Sequence, residues 1–469
     1  MQLYPESRTA PWEHQKKAWS FGQSKDSVYL NMDMGTGKTK SAIDFANGWD
    51  CNLIIIISPK SVREVWHDQF IIHSFVNYEI LIPDKGTAAK KAEDIKNKIA
   101  STQKLCVVLN YETFWRSPLG PTYKKNRMIK PGILTGIPWD LMILDEAHRI
   151  MSPGGRASWG AMRLSKVVKK KLFLSGTAMP SGPQNIYGQY RSLDSSIFGT
   201  SFVKFRSRYC IMGGFENRQI MGYQNQEELT AKFYSKAFRV TKEEVLDLPP
   251  TMHEHRKCEL SKKAQKIYNE FADEMIVAVK DKELSAQNAL VKLLRLQQMA
   301  GGYIQLDDGT RQELDPDSNP KMDILKDIVN DLPPNEPMVI FGVFTPELQL
   351  IKKTLIDAGR NPAELSGKMN QLKEWQNGNF QDLVVQIKTG KEGVDFTRSC
   401  YAVYYSKNFS LGDYQQSLAR LDRPGQTRPV TYYHIICRKT VDVKLHQALR
   451  SKKKIIDYIL EYIEDDIDF

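Results

Sequence analysis

Cysteine is scarce in this chain: six residues in 469, at positions 51, 106, 210, 258, 400 and 437, with no paired spacing. That excludes a disulfide-stapled scaffold or a cysteine-ligated zinc module, and free thiols in a reducing cytoplasm are the expectation. Long apolar runs are lacking as well. The longest aliphatic stretch, Leu53 to Ile57, falls far short of the roughly 20 residues a membrane helix needs, so no membrane partner is expected. The first residues, Met1-Gln2-Leu3-Tyr4-Pro5-Glu6, show no basic-then-apolar leader pattern. Acidic residues are outnumbered, 55 against 66 Lys and Arg, and the formal charge of +11 favours a polyanionic partner. A hydrophobic content of 41% and a charged content of 26% are ordinary for a globular protein, and 469 residues exceed what one core serves.

What is present is organised around Met34-Gly35-Thr36-Gly37-Lys38-Thr39. Val28-Tyr29-Leu30 before it is β-favouring, and Ala42, Ile43 and Ala46 after it recur at helical spacing. In a strand, glycine turn and helix of this kind, backbone N–H groups and the helix N-terminus cradle phosphate. Lys38 then reaches the outer phosphates and the Thr39 hydroxyl ligates Mg²⁺. A plain glycine turn is the alternative, and Met32 stands where the strict pattern wants Gly or Ala.

Further strands deliver further polar loops. Upstream, Pro11-Trp12-Glu13-His14-Gln15 opens a helix, and the Gln15 amide suits an adenine edge. Leu53 to Ile57 ends in Ser58-Pro59-Lys60, and Leu105 to Leu109 ends in Asn110-Tyr111. Leu141 to Leu144 ends in Asp145-Glu146-Ala147-His148, where Asp145 would hold Mg²⁺ and Glu146 would deprotonate an attacking water. Leu172 to Leu174 ends in Ser175-Gly176-Thr177, a loop able to sense a terminal phosphate. Residues 115–137, with Lys124, Lys125, Arg127 and Lys130, read as a basic loop, and 182–246 as aromatic-rich helical material. Leu248-Pro249-Pro250 is the strongest punctuation and marks the boundary between 1–250 and 251–469. The second half starts with a helical region over about 256–300 and then returns to strand–helix alternation, without a second GK[ST]. There Gln416, Arg420 and Arg423 stand four and three residues apart, which predicts one helix face.

This order of motifs resembles the superfamily-two helicases, more narrowly the SWI/SNF-type (DEAH-box) DNA translocases in their compact bacterial or phage-like form. Asp33 to Thr39 is similar to their motif I, Asp145 to His148 to motif II and Ser175 to Pro180 to motif III. Phe238 to Val245 with Leu248-Pro249-Pro250, and Gln416 to Gln426 as motif VI, are specific to that group. The resemblance implies two RecA-like α/β lobes with parallel sheets flanked by helices and a helical insertion in each lobe. It implies ATP, with Mg²⁺ on Thr39 and Asp145, bound through Gln15, Gly35, Thr36, Gly37, Lys38, Thr39, Asp145 and Asp395. Lys38, Glu146, Arg420 and Arg423 would serve catalysis, the two arginines as fingers; His148, Ser175, Thr177 and Gln416 would couple hydrolysis to movement. DNA backbone contacts are implied at Ser58, Lys60, Asn110, Tyr111, Thr345, Thr389 and Gly390. Motif V, Thr389 to Phe396, departs from the group, with Asp395 where Asn is usual. The expected protein is a monomeric, cytoplasmic ATP-dependent translocase on duplex or branched DNA. An ATP-gated DNA clamp with little net movement is the alternative.

Overall fold

The aliphatic runs become strands buried on both faces. In Leu53–Ser58, Ile54 and Ile56 face one core while Ile55 and Ile57 face another, so unbroken apolarity replaces the polar alternation of a half-exposed strand. The computed structural model describes residues 3–83, 85–124, 127–180, 182–214, 219–280, 286–305, 310–390 and 394–451. These divide into two compact units, Met1–Asp247 and Leu248–Phe469.

In the first unit, strands β1 (Ser27–Met32), β2 (Leu53–Ser58), β3 (Glu79–Leu81) and β4 (Leu105–Asn110) precede a hairpin of β5 (Thr122–Lys124) and β6 (Arg127–Lys130). Then follow β7 (Leu141–Asp145), β8 (Lys170–Leu174), a second hairpin of β9 (Cys210–Gly213) and β10 (Gln219–Tyr223), and β11 (Ala237–Val240). Seven of them form a parallel sheet in the order β11-β1-β8-β7-β2-β4-β3. Helices α1 (Glu13–Gly22), α2 (Lys38–Gly48) and α3 (Arg63–His73) cover one face through Trp19, Ile43, Phe45, Trp66 and Phe70. The other face carries α4 (Ala88–Ser101), α5 (Arg156–Leu164) and α6 (Ile186–Leu193), with Tyr187, Tyr190, Phe198 and Phe205 in an aromatic core.

The second unit repeats the principle. Strands β12 (Thr251–Cys258), β13 (Tyr303–Gln305), β14 (Arg311–Glu313), β15 (Met338–Gly342), β16 (Pro362–Leu365), β17 (Asp382–Gln386), β18 (Tyr401–Tyr404) and β19 (Val430–Cys437) occur in that order. Six form a parallel sheet, β12-β19-β18-β15-β17-β16, and β13 pairs with β14 as a hairpin. Both units are RecA-like α/β lobes, the class expected from the motifs.

Three local readings change. Residues 115–137 are not a plain loop: β5 and β6 pair antiparallel, followed by a 3₁₀ turn at Ile133–Gly136. Ala237–Val240, at the end of the region read as helical, is an edge strand on β1, and Thr251–Cys258 is another on β19. Both escape periodicity because an edge strand of four residues, or one as polar as Thr-Met-His-Glu-His-Arg-Lys-Cys, buries too little to show a pattern.

The second unit buries an amine. Lys407 is 5% exposed and its Nζ lies 2.9 Å from His446 Nδ1. Burial pulls this amine down to about 7; Asp442 opposes the shift and Lys321 reinforces it. Between that value and the ordinary lysine range the unfolded chain holds a proton that the folded chain does not. Stability therefore rises with pH across the window, by up to about 1.4 kcal/mol per pH unit, and the rise stops below it. In urea unfolding at a series of pH values between neutrality and mild alkali, Lys407→Met is expected to flatten this rise relative to the parent. An identical slope in both proteins would show that Lys407 is charged when folded.

Candidate functional site

Because the first sheet is parallel, the carboxyl ends of its strands lie on one edge, where ligands of such sheets bind. The order places β8 between β1 and β7, so the loops after Met32, Leu174 and Asp145 are neighbours although the last two lie 142 and 113 residues beyond the first along the chain. The three polar segments read separately in the sequence are thereby brought together.

The glycine loop has the geometry that a phosphate cradle needs. Gly35 and Gly37 have φ of 83° and 78°, in the left-handed region. A Cβ on Gly37 would come 2.4 Å from Gln15 Nε2. Gln15 is buried and its amide holds the loop from behind: Nε2 donates to Gly37 O at 3.2 Å, and Oε1 accepts from the Trp12 N–H at 2.8 Å. His14 Nε2 meets Thr36 O at 2.7 Å, and the buried Thr36 donates its hydroxyl to Asp33 O. Lys38, the first residue of α2, folds its Nζ onto Met32 O and Asp33 O at 2.8 and 2.9 Å. Thr39 follows in the first turn, half-buried. The Asp33 carboxylate accepts the Lys242 N–H at 3.1 Å, tying the loop to the segment after β11.

Asp145 ends β7 with its side chain held by Trp66 Nε1 at 3.0 Å and its carbonyl by Tyr111 OH at 2.8 Å. Burial and the adjacent Glu146 carboxylate push Asp145 up to about 7, against the Trp66 hydrogen bond and the Lys38 charge. Glu146 adopts φ 54° and ψ 55°, which turns its side chain out of the strand direction. His148 Nδ1 lies 3.3 Å from Glu146 Oε2 and 3.1 Å from Ser175 Oγ, and Ser175 Oγ accepts the Thr177 N–H at 3.1 Å. Buried Gln189 bridges this region inward: it accepts from Tyr29 OH at 2.6 Å and donates to Ala178 O at 2.8 Å. Tyr29, Trp66 and Gln189 carry no motif signal; only the fold assigns them to the site.

The residues fit a Mg²⁺–nucleotide. The glycine loop offers N–H groups, Lys38 a charge, and Thr39 and Asp145 hard oxygen donors. Among the described residues no group of three or more His, Cys, Asp or Glu is arranged for a metal, so a cation here would draw its other ligands from phosphates and water.

The residues expected at DNA are placed unevenly. Ser58 is fully buried with its hydroxyl on Pro59 O, and Tyr111 points inward to Asp145; Lys60 is exposed. Asn110 is 9% exposed. Thr345 opens the helix after β15, and Thr389 and Gly390 turn after β17 with N–H groups on Gln386 O. Lys391, Glu392 and Gly393, with Lys125, lie outside the described residues, as do the side chains of Lys124 and Arg127.

Motif VI corrects the helix-face reading. The helix Leu411–Leu418 stops before Arg420, and Arg420 and Arg423 sit in the turns that follow, ahead of Pro424 and Gly425. Gln416 is buried in the helix, so the three side chains do not share one helical face. Arg423 Nε lies 3.6 Å from Asp395 Oδ2 and its NH1 donates to Val394 O at 3.1 Å, while Phe396 N–H donates to Arg420 O. Asp395 also accepts from the Thr397 N–H and hydroxyl at 2.8 and 2.7 Å.

The family model described as the SNF2-related domain matches residues 14–301. A protein of Acyrthosiphon pisum secondary endosymbiont phage 1, p41, is 24% identical over 93% of this chain and 94% of its own length. The SWI/SNF-related matrix-associated actin-dependent regulator of chromatin subfamily A-like protein 1 homolog of Caenorhabditis elegans is 28% identical over 51% of this chain. The DNA annealing helicase and endonuclease ZRANB3 of Bos taurus is 22% identical over 94% of it. The matches span 33% and 40% of those two larger proteins. A Sulfolobus solfataricus SWI2/SNF2 ATPase core in complex with dsDNA aligns over 99% of this chain and 97% of its own, with 19% identity and a TM-score of 0.45.

Asp145 supplies the test of the site. With its carboxyl pushed up to about 7 and a cation needing the deprotonated form, affinity for Mg²⁺ with ATP is expected to fall as pH drops through about 7, and binding is expected to release a proton. Calorimetry in two buffers of different ionisation enthalpy is expected to show that release. Glu146→Gln, which removes the neighbouring negative charge, should move its midpoint to lower pH. Binding with no proton release at any pH would place the cation elsewhere.

Proposed function

The chain belongs to the SNF2-related family, and on that premise we propose that it is an ATP-driven translocase on DNA. The observation that carries this reading is the adjacency of the loops after β1, β8 and β7, which joins the glycine cradle, Asp145-Glu146 and Ser175-Thr177 in one unit. Lys38, now folded on the loop carbonyls, would turn to the outer phosphates, and Thr39 and Asp145 would hold Mg²⁺. Bound Mg²⁺ supplies charge neutralisation of the phosphates during transfer to water. Glu146 would orient the attacking water and take its proton. His148, within reach of both Glu146 and Ser175, would report the state of that carboxylate to the loop and, through Gln189, to α6. Arg420 and Arg423 would act on the transferring phosphoryl group, and Asp395 would release Arg423 for that role.

The DNA contacts are proposed for the exposed Lys60 and for backbone groups near Asn110, Thr345, Thr389 and Gly390, with binding driven by phosphates and not by base sequence. The exposed part of the Ser58-Pro59-Lys60 loop is its lysine, which supports an electrostatic contact.

ATPase assays test the chemistry. Glu146→Gln is expected to bind ATP but abolish turnover. Arg420→Ala and Arg423→Ala should each depress hydrolysis steeply, toward the roughly 10³–10⁵-fold that arginine fingers supply elsewhere. A surface ion pair is worth less than about 1 kcal/mol, so a loss below tenfold in both variants would remove the finger assignment.

Movement is tested separately. With ATP, the protein is expected to displace a triplex-forming third strand from duplex DNA and to leave a tailed duplex paired. Unwinding of the tailed duplex without triplex displacement would make it a strand-separating helicase. Neither activity beside DNA-stimulated hydrolysis would make it a clamp.

A further inference from the structure

The positive charge of this protein is not spread along the chain. Residues 113–193 hold thirteen Lys and Arg against three acidic residues, Asp140, Asp145 and Glu146, and so account for +10 of the formal +11. Two of those three carboxylates belong to the site already described, and Asp140 is bonded to Lys169 at 2.7 Å. From Ala147 to Leu193 there is no acidic residue at all.

Part of this stretch folds into a surface of stacked arginine and tryptophan on α5. The Arg191 guanidinium lies 4.5 Å from the Trp159 ring centroid and that of Arg163 lies 5.6 Å away. Arg156 and Arg116 stand 5.3 and 5.6 Å from the ring of Trp115. The two aromatic sets adjoin because residue 160 is glycine: a Cβ there would come 2.9 Å from Trp115 Cβ and 3.0 Å from Phe114. Arg191 is 8% exposed and donates to Pro153 O at 2.9 Å and Ser158 Oγ at 2.8 Å, so Trp159 is supported from within the protein. Trp159 nevertheless remains 41% exposed, and Arg156 and Arg116 are exposed beside it. The β5–β6 hairpin leaves from the same loop: a Cβ on Gly132 would strike Leu119 O at 2.3 Å, which closes the hairpin base a few residues past Arg116.

An exposed indole fixed from behind and ringed by guanidinium groups, with Glu112 of the neighbouring turn paired to Arg149 at 3.5 Å, presents both a stacking plane and phosphate ligands. We propose that this α5 surface binds single-stranded nucleic acid, with an unpaired base stacked on Trp159 and the adjoining phosphates on Arg156 and Arg116. A duplex, whose bases are already stacked, engages only the arginines. Arg116 lies in the turns that continue from Asn110 and Tyr111, so the surface adjoins that strand-end loop, but Trp159 and Arg156 on α5 have no part assigned to them in the motor and the inference does not depend on translocation.

The test is equilibrium anisotropy without nucleotide, comparing a short fluorescein-labelled oligothymidylate with a duplex of equal length. Trp159→Ala is expected to weaken oligothymidylate binding by about 5- to 150-fold, the span of one base–aromatic stack, and to change duplex binding by less than about twofold. Trp159→Phe should restore most of the affinity, which a merely misfolded surface would not. Arg156→Ala, an exposed change that carries the test even if Trp159→Ala does not fold, should lower the salt slope on oligothymidylate by about 0.7. Unchanged oligothymidylate affinity in Trp159→Ala and Arg156→Ala would overturn the proposal, as would an equal loss on duplex. Duplex-stimulated ATP hydrolysis is read in parallel. Its absence in the parent would count against the motor and leave the oligothymidylate comparison intact.

Discussion

Parallel pairing of β8 between β1 and β7 is the constraint on which the first unit rests. Ser27 to Leu30 pair with Lys171 to Leu174 on one side of β8, and Leu141 to Asp145 with Lys170 to Leu174 on the other. A parallel strand must be reached by a crossover, so helices occupy both faces and every strand end of one polarity lies on the same edge. Three loops far apart in sequence thus meet without any of them binding another strongly. The inner support is a polar line through the apolar core, Tyr29 to Gln189 to Ala178, fully bonded at each step. It links the strand before the glycine loop to the loop after β8.

Electrostatics then divides the molecule by function. Two adjacent carboxylates at a buried strand end repel, and the burial of Asp145 sharpens that repulsion; the Lys38 charge and the Trp66 N–H offset only part of it. Such a pair costs stability in the resting fold, a cost that the proposed cation would offset on binding. The excess positive charge lies in residues 113–193, whose described arginines pair with aromatic rings as much as with acids. The second unit handles buried charge differently, pairing Lys321 with Asp442 and Arg360 with Asp382.

The sequence by itself determined the strand runs, because strands covered on both faces must be aliphatic throughout, as Leu53 to Ile57 and Leu141 to Leu144 are. It determined the glycine turn as well: Gly35 and Gly37 occupy left-handed backbone that a side chain would strain, and Gln15 leaves no room for a Cβ at Gly37. The order of Lys38, Asp145-Glu146, Ser175-Thr177 and Arg420-Arg423 was legible for the same local reasons. Only the tertiary structure decided which side chains those motifs meet. Tyr29, Trp66 and Gln189 enter the site through strand order and helix packing, which no spacing encodes. Spacing alone also misplaced Arg420 and Arg423 on a helix, because the helix stops at Leu418 ahead of Pro424, and the family resemblance set Ser58 and Tyr111 at DNA where packing turns both side chains inward. The edge strands Ala237–Val240 and Thr251–Cys258 were decided by their partners' open edges, since backbone hydrogen bonding to β1 and β19 asks nothing of side-chain pattern.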